Sequence, residues 1–161
     1  MTQLSEHFTL EEFIHPGTVV PADVLSKLTN LATNLEVIRL QVNCPIHIHS
    51  GYRTEEQNQS VGGVPTSYHL FTEDHCACDF TVECCALQAV FDWLRFSSKI
   101  PFDEVILERK KGGGEFDEGG CIHLQFKDHP RRLAYIGQTH GTGEYLRVDS
   151  TKLFPVAAEH Q

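Results

Sequence analysis

Residues 67–82 have the sequence SYHLFTEDHCACDFTV, and this stretch decides how the rest of the chain is interpreted. The short apolar segment over residues 76–82 predicts a buried strand. Because side chains alternate along a strand, Asp79 shares a face with Ala77, whereas Phe80 points toward the core. Aspartate is disfavoured inside strands, so we expect this carboxylate to have a specific role.

Two histidines accompany this aspartate. His69 lies near the start of the quoted stretch, and His123 lies in residues 121–125, CIHLQ, a second predicted strand. In that strand His123 shares its face with Gln125, while the intervening residues pack inward. Catalytic zinc takes three protein ligands and keeps a fourth position open, where the pKa of water falls to about 7. The sequence therefore predicts a Zn²⁺ site built from His69, Asp79 and His123.

The remaining pattern predicts an α+β fold, with a small and mostly antiparallel sheet packed on helices. Apolar residues recur at helical spacing from Pro21 to Val42, which indicates a helix with one core-facing side. The other predicted elements are short helices over 9–14 and after Thr54, a helix over 83–96, strands over 46–50, 103–108 and 121–126, a hairpin within 130–148, and a loose tail over the last ten residues.

Length and charge limit the class of protein. The chain has 161 residues, which favours one domain over 1–161. Its 13 basic and 22 acidic residues give a net charge of −9, which argues against nucleic acid as the main partner. No apolar stretch is long enough to insert into a membrane, and the first residues lack the features of a signal peptide. We therefore expect synthesis in the cytoplasm.

Six cysteines allow two interpretations. A chain without a signal peptide normally stays reduced, so we expect structural, buried thiols. The alternative is a cysteine-based zinc or redox site that uses Cys76, Cys78 and Cys121. One residue separates Cys76 from Cys78, and Cys84 and Cys85 are adjacent, so neither pair has the C-x-x-C spacing of zinc ribbons. This spacing favours the first interpretation.

The order of these motifs resembles the M15 group of zinc peptidases, which includes D-alanyl-D-alanine carboxypeptidases and phage endolysins and shares its fold with the hedgehog domain. The resemblance covers about residues 5–137. It rests on the opening SEHFTLEEF (5–13), on IHSGYRT (48–54) and NQSVGGVP (58–65), on the ligand pattern S-x-H-x-x-G-x-A-x-D, which maps onto Ser67, His69, Ala77 and Asp79, and on a late W-x-H-x-S strand, which maps onto 121–125.

This resemblance implies roles for further residues. Arg53 matches the family arginine and would recognise a C-terminal carboxylate with its guanidinium fork, as a catalytic and substrate-binding residue. Ser67 is assigned to substrate binding. Glu108 ends the segment FDEVILE, which resembles a family strand whose final glutamate lies beside the metal, and is therefore the predicted general base. Glu118 is the alternative base.

The chain also departs from the family pattern. Asp79 lies ten positions after His69, where the family spacing is seven, so three residues are inserted between them and His75 becomes an alternative ligand. A short insertion costs little loop entropy and need not move the ends of the loop. Gly120 stands where many relatives have an acidic residue, and Gln125 stands in place of the family serine.

The predicted function is hydrolysis of peptidoglycan stem peptides, either as a D,D-carboxypeptidase or as an endolysin-like endopeptidase. A phage lysis enzyme of this kind would reach the cell wall when the membrane is permeabilised. The alternative is a non-catalytic zinc-binding module on the same fold, such as a virion or cell-wall-binding protein. The oligomeric state stays open.

Overall fold

The computed structural model of the protein describes residues 1–109, 120–138 and 145–148. In these residues it has three α-helices, namely α1 (Ala22–Val42), α2 (Glu55–Ser60) and α3 (Leu87–Phe96). It also has six strands, namely β1 (Ile46–Ser50), β2 (His75–Val82), β3 (Glu104–Arg109), β4 (Cys121–Lys127), β5 (Leu133–Gln138) and β6 (Leu146–Val148). Short 3₁₀ turns cover Leu10–Glu12 and Tyr68–Leu70.

The described strands form one sheet in the order β1-β2-β4-β3-β5-β6. Strand β5 returns along the far side of β3 and pairs with it in parallel, whereas the other neighbouring strands are antiparallel. The sheet is therefore mixed, while the sequence pattern predicted a mostly antiparallel one. The prediction of an α+β fold is confirmed, as is the predicted hairpin, formed by β5 and β6.

One face of the sheet packs on helix α1 to form the core. The helix begins after Pro21 and ends at Val42, where Asn43 adopts the left-handed conformation (φ 51°) that commonly terminates helices. Its buried residues recur at the predicted helical spacing. Core positions on this helix and on the sheet are Leu28, Leu31, Leu35, Ile38, Cys78, Phe80, Val105, Leu107, Ile122 and Leu124.

The opposite face of β2 and β4 is polar, as strand alternation predicted. Asp79 and His123 project from this face, while Phe80 and Ile122 are completely buried on the other. In the described part of the chain, none of the helices is long and apolar enough to cross a lipid bilayer.

Two predicted helices differ in extent from the observed elements. The predicted helix over 83–96 begins only at Leu87, three residues after Cys84, which is held in a disulfide. The predicted short helix over 9–14 is a 3₁₀ turn. Its capping box is present, and the carboxylate of Glu12 accepts a hydrogen bond from the backbone N–H of Thr9 at 2.7 Å.

A disulfide joins Cys44 and Cys84, so the expectation that the cysteines stay reduced is wrong for this pair. The register of β1 and β2 explains the bond. Ile46 pairs with Val82 in antiparallel sense. Cys44 lies two residues before Ile46 and Cys84 two residues after Val82, so the antiparallel register brings the cysteines opposite each other, with their Cα atoms 6.0 Å apart.

Candidate metal centre

Strand register places an aspartate directly opposite a histidine. Asp79 on β2 is the cross-strand partner of His123 on β4, and their side chains share the polar face. The Nδ1 atom of His123 lies 2.6 Å from Oδ1 of Asp79. Both side chains are mostly shielded, with 11% and 17% of their surface exposed. These two strands thus form the fixed base of the site.

His69 reaches the same carboxylate from the 3₁₀ turn before β2. Its Nε2 atom lies 3.2 Å from Oδ2 of Asp79, while its Nδ1 donates a hydrogen bond of 2.7 Å to the carbonyl oxygen of Gly51. A carbonyl can only accept, so the neutral ring carries its proton on Nδ1 and leaves a lone pair on Nε2. Metal-binding histidines are typically oriented by such a bond.

The hydroxyl of Ser67 accepts a hydrogen bond from the backbone N–H of His69 at 3.3 Å and so caps this turn. The side chain thereby helps to position a predicted ligand. Its assignment to substrate binding stays a prediction.

Gly51 is the point where the N-terminal segment meets the site. A Cβ atom at this position would lie 2.6 Å from the carbonyl oxygen of Phe13, a distance that real side chains do not adopt. The same carbonyl accepts a hydrogen bond from the N–H of Tyr52 at 2.9 Å. The buried Phe13 therefore holds this loop, whose own carbonyl orients His69.

Arg53 lies at the edge of the centre. Its Nε donates to the hydroxyl of Ser50 at 2.9 Å, and its Nη2 lies 3.4 Å from Oδ2 of Asp79. Its backbone N–H donates to the carbonyl oxygen of His69 at 2.8 Å. The structure therefore brings the predicted arginine into contact with the predicted ligands.

The charges of the centre are strongly coupled. Burial opposes ionisation of Asp79, but the charge and hydrogen bond of His123, with a smaller contribution from the nearby His69, outweigh it and hold the pKa of Asp79 well below its usual range. Burial likewise disfavours a charged His123, yet Asp79 and, more weakly, Glu108 raise the pKa of His123. Binding of a metal ion here displaces a proton, so we expect affinity to fall with decreasing pH.

The three side chains together can hold a metal ion. One ligand atom from each of His69, Asp79 and His123 lies within 4.8 Å of the others. Two imidazoles and one carboxylate are a donor set used by catalytic zinc. The hydrogen bond of His69 also leaves its inward nitrogen unprotonated, as a ligand requires. The residues present therefore fit the predicted Zn²⁺.

His75, the alternative ligand, does not join this group. It shares the polar face of β2 with Asp79 but lies four residues away, about 13 Å along a strand. Its ring stacks on Tyr68 at 4.2 Å, and its Nδ1 lies 3.0 Å from Oδ1 of Asp74. The three inserted residues thus extend a loop outside the centre and leave His69 in place.

The alternative cysteine site is contradicted by the alternation of the strands. Cys76 and Cys78 are buried on the core face, where burial raises the pKa of the Cys76 thiol to about 12. Cys121 lies on the opposite face, two residues before His123 on β4. These three thiols cannot converge on one ion.

Glu108 lies on the same face as the centre, on β3. Its cross-strand partner is Cys121, which places Glu108 diagonally across from His123. Residues in such diagonal positions on neighbouring strands lie about 7–8 Å apart. Tyr145 donates a hydrogen bond to its Oε1 at 3.2 Å, and burial together with this carboxylate raises the pKa of Tyr145 to about 12. Glu118, the alternative base, lies outside the described residues.

Tyr145 was not foreseen from the sequence. Its ring rests on Gly137 of β5, where a Cβ atom would lie 2.1 Å from the ring. Only the pairing of β5 with β3 and of β6 with β5 brings this tyrosine to Glu108. No local pattern around either residue signals that contact.

The sequence model of a family described as Peptidase M15 matches residues 6–110. This range includes Arg53, His69, Asp79 and Glu108, whereas His123 lies beyond it and enters the centre through the sheet. A search of curated proteins finds no match.

Proposed function

Because the chain belongs to the M15 peptidase family, we propose that it is a zinc-dependent peptidase that cleaves peptidoglycan stem peptides. The observation that carries this proposal is the convergence of His69, Asp79 and His123 on one side of the sheet, with Glu108 on the same face. We also propose that the mixed sheet and its helices represent the fold that M15 enzymes share with the hedgehog domain.

His69 would hold the zinc ion through Nε2, Asp79 through its carboxylate and His123 through Nδ1, because these atoms face one another. When bound, zinc supplies Lewis-acid activation of water and of the scissile carbonyl. Arg53 stays beside Asp79 and keeps the carboxylate oriented.

Glu108 is the proposed general base. Hydrolysis adds the hydroxyl group of water to the carbonyl carbon, breaks the C–N bond and transfers one proton to the leaving amine. The Glu108 carboxylate accepts the proton from water and returns it to the amine nitrogen. The hydroxyl of Tyr145 supports this role, because it holds one carboxylate oxygen.

Arg53 is the proposed anchor for a substrate carboxylate. Its Nε and Nη2 atoms contact Ser50 and Asp79, whereas Nη1 has no hydrogen-bond partner within the described residues. Guanidinium groups bind carboxylates strongly and with defined geometry. This arrangement favours substrates with a free carboxylate near the scissile bond, as in a D,D-carboxypeptidase reaction.

The disulfide between Cys44 and Cys84 supports a site of action outside the reducing cytoplasm, because such bonds persist in oxidising compartments. It is compatible with a peptidase that reaches the cell wall during lysis.

The test is hydrolysis of two substrates, a stem pentapeptide with a free C-terminal carboxylate and a cross-linked stem peptide, each followed by mass spectrometry. We expect cleavage that a chelator abolishes and one equivalent of zinc restores. Glu108→Gln should lower kcat by roughly 10²–10⁴-fold while zinc content stays the same. Glu104→Gln is the matched control, because Glu104 lies on the same strand and face but pairs with Arg131.

If the zinc-loaded protein cleaves neither substrate and Glu108→Gln has no effect on either, the peptidase proposal fails. Zinc binding without hydrolysis would then support the alternative, a non-catalytic zinc-binding module on the same fold.

A further inference from the structure

In the side-chain amide of Gln125, the nitrogen has a hydrogen-bond partner and the oxygen has none among the described residues. Its Nε2 lies 2.9 Å from Nε2 of His123, two residues earlier on the same face of β4. Its Oε1 is shielded from solvent and has no hydrogen-bond partner among the described residues. Its cross-strand neighbours are Ala77 on β2, which has no polar side chain, and Glu104 on β3, whose carboxylate accepts hydrogen bonds and cannot donate one to Oε1. A buried acceptor without a donor is unusual and calls for an explanation.

The present arrangement fixes the proton of the His123 ring. A carboxylate can only accept, so Nδ1 of His123 donates to Oδ1 of Asp79. The neutral ring then has its lone pair on Nε2, which accepts a hydrogen bond from the amino group of Gln125. In this state both ring nitrogens have suitable partners, and only Oε1 of Gln125 lacks one.

Metal binding at Nδ1 of His123 would reverse which ring nitrogen carries the proton. If Nδ1 binds the ion, the neutral ring must carry its proton on Nε2, which then needs an acceptor. The amino group of Gln125 cannot accept, but its oxygen can. A half-turn of the terminal amide exchanges the two atoms and places Oε1 opposite Nε2 of His123.

We infer that Gln125 is the positioning residue for His123, and that its amide reverses when the metal binds. This inference rests on the proposed zinc site. Partners of this kind fix the tautomer and orientation of metal-bound histidines, and their loss typically weakens metal affinity 10–100-fold. Because the chain has glutamine where the family pattern has serine, the longer side chain reaches the ring from within the same strand.

The test measures zinc affinity by competition with a chromophoric chelator, which does not require enzyme activity. We expect Gln125→Leu to weaken zinc binding 10–100-fold, because the Nε2–H of His123 loses its acceptor. Gln125→Glu, which supplies an acceptor without a donor, should bind zinc at least as tightly as the parent. The control is Gln88→Leu, the same substitution on α3, where the side chain contacts Asp92 and Arg109.

A spectroscopic measurement tests the reversal directly. Nitrogen NMR of the His123 ring should show the proton on Nδ1 without zinc and on Nε2 with zinc, and the Gln125 amide resonances should shift at the same time. An unchanged zinc affinity in Gln125→Leu, or weaker binding by Gln125→Glu than by Gln125→Leu, would overturn the inference and leave the zinc peptidase intact. Failure of the parent protein to bind zinc would overturn both.

Discussion

Loss of the disulfide between Cys44 and Cys84 should destabilise the protein by about 4 kcal/mol. The bond links residues 40 positions apart. In the chain-entropy account, a loop of 15 residues contributes about 3 kcal/mol and a loop of 100 residues about 4.7 kcal/mol, so this loop falls near 4 kcal/mol. Since a domain of this size is stable by about 5–15 kcal/mol, the bond would supply a large share of the total.

The assay is urea unfolding of the double variant Cys44→Ala/Cys84→Ala beside the oxidised parent, followed by far-UV circular dichroism. Reduction of the parent with dithiothreitol should give a loss similar to that of the double variant. Cys85→Ala is the control. It is adjacent to the bond but has a free thiol, and it should change stability by no more than about 0.5 kcal/mol.

A double variant that unfolds within about 1 kcal/mol of the parent would refute the loop-entropy reasoning. If Cys85→Ala destabilises the protein as much as the double variant does, the cysteines are paired differently from the structure.

Three further predictions concern the site and the core. Arg53→Lys should raise KM roughly tenfold for a peptide with a free C-terminal carboxylate, because the planar fork is lost, and a fall in kcat at constant KM would contradict the anchoring role. Tyr145→Phe should lower kcat, since the Glu108 carboxylate loses the hydrogen bond that holds one of its oxygens, while zinc affinity measured by titration stays constant; an unchanged kcat would contradict this role. Burial opposes ionisation of Asp103, but the hydrogen bonds and charge of Arg131 outweigh it and lower the pKa of Asp103. The ionised carboxylate therefore stabilises the fold above the unfolded-state pKa of about 3.9, and this stabilisation is lost as pH falls below that value. Asp103→Asn should therefore cost about 2 kcal/mol at pH 7 in urea unfolding and much less near pH 3, and an equal loss at both pH values would contradict this.

The elements that carry strong periodicity could be predicted from the sequence. Helix α1 was predicted over Pro21–Val42 and is observed over Ala22–Val42. Its apolar residues recur at helical spacing, and the proline before it marks where the helix starts. Strand β2 and its two faces were also predicted correctly, which placed Asp79 on the polar side. Both features depend on local sequence and on burial of one face.

Features that depend on pairing between distant strands could not be predicted. The bond between Cys44 and Cys84 requires the register of β1 and β2, and the contact of Tyr145 with Glu108 requires β5 to lie beside β3. The hydrogen bond from His69 to the Gly51 carbonyl involves a backbone atom, which no side-chain pattern reveals. In each case the feature depends on contacts between residues that are far apart in the sequence.

The position of the site within the sheet separates metal binding from catalysis. Asp79 and His123 face each other across interior strands, so their spacing is set by the same hydrogen bonds that hold the sheet together. Glu108 lies near the end of β3, and its contacts in the described residues include the thiol of Cys121 and the hydroxyl of Tyr145. A change at this periphery can therefore abolish hydrolysis while the ligands keep their geometry. For this reason zinc content alone cannot identify a peptidase on this fold, and the comparison of Glu108→Gln with its zinc-binding parent is the decisive experiment.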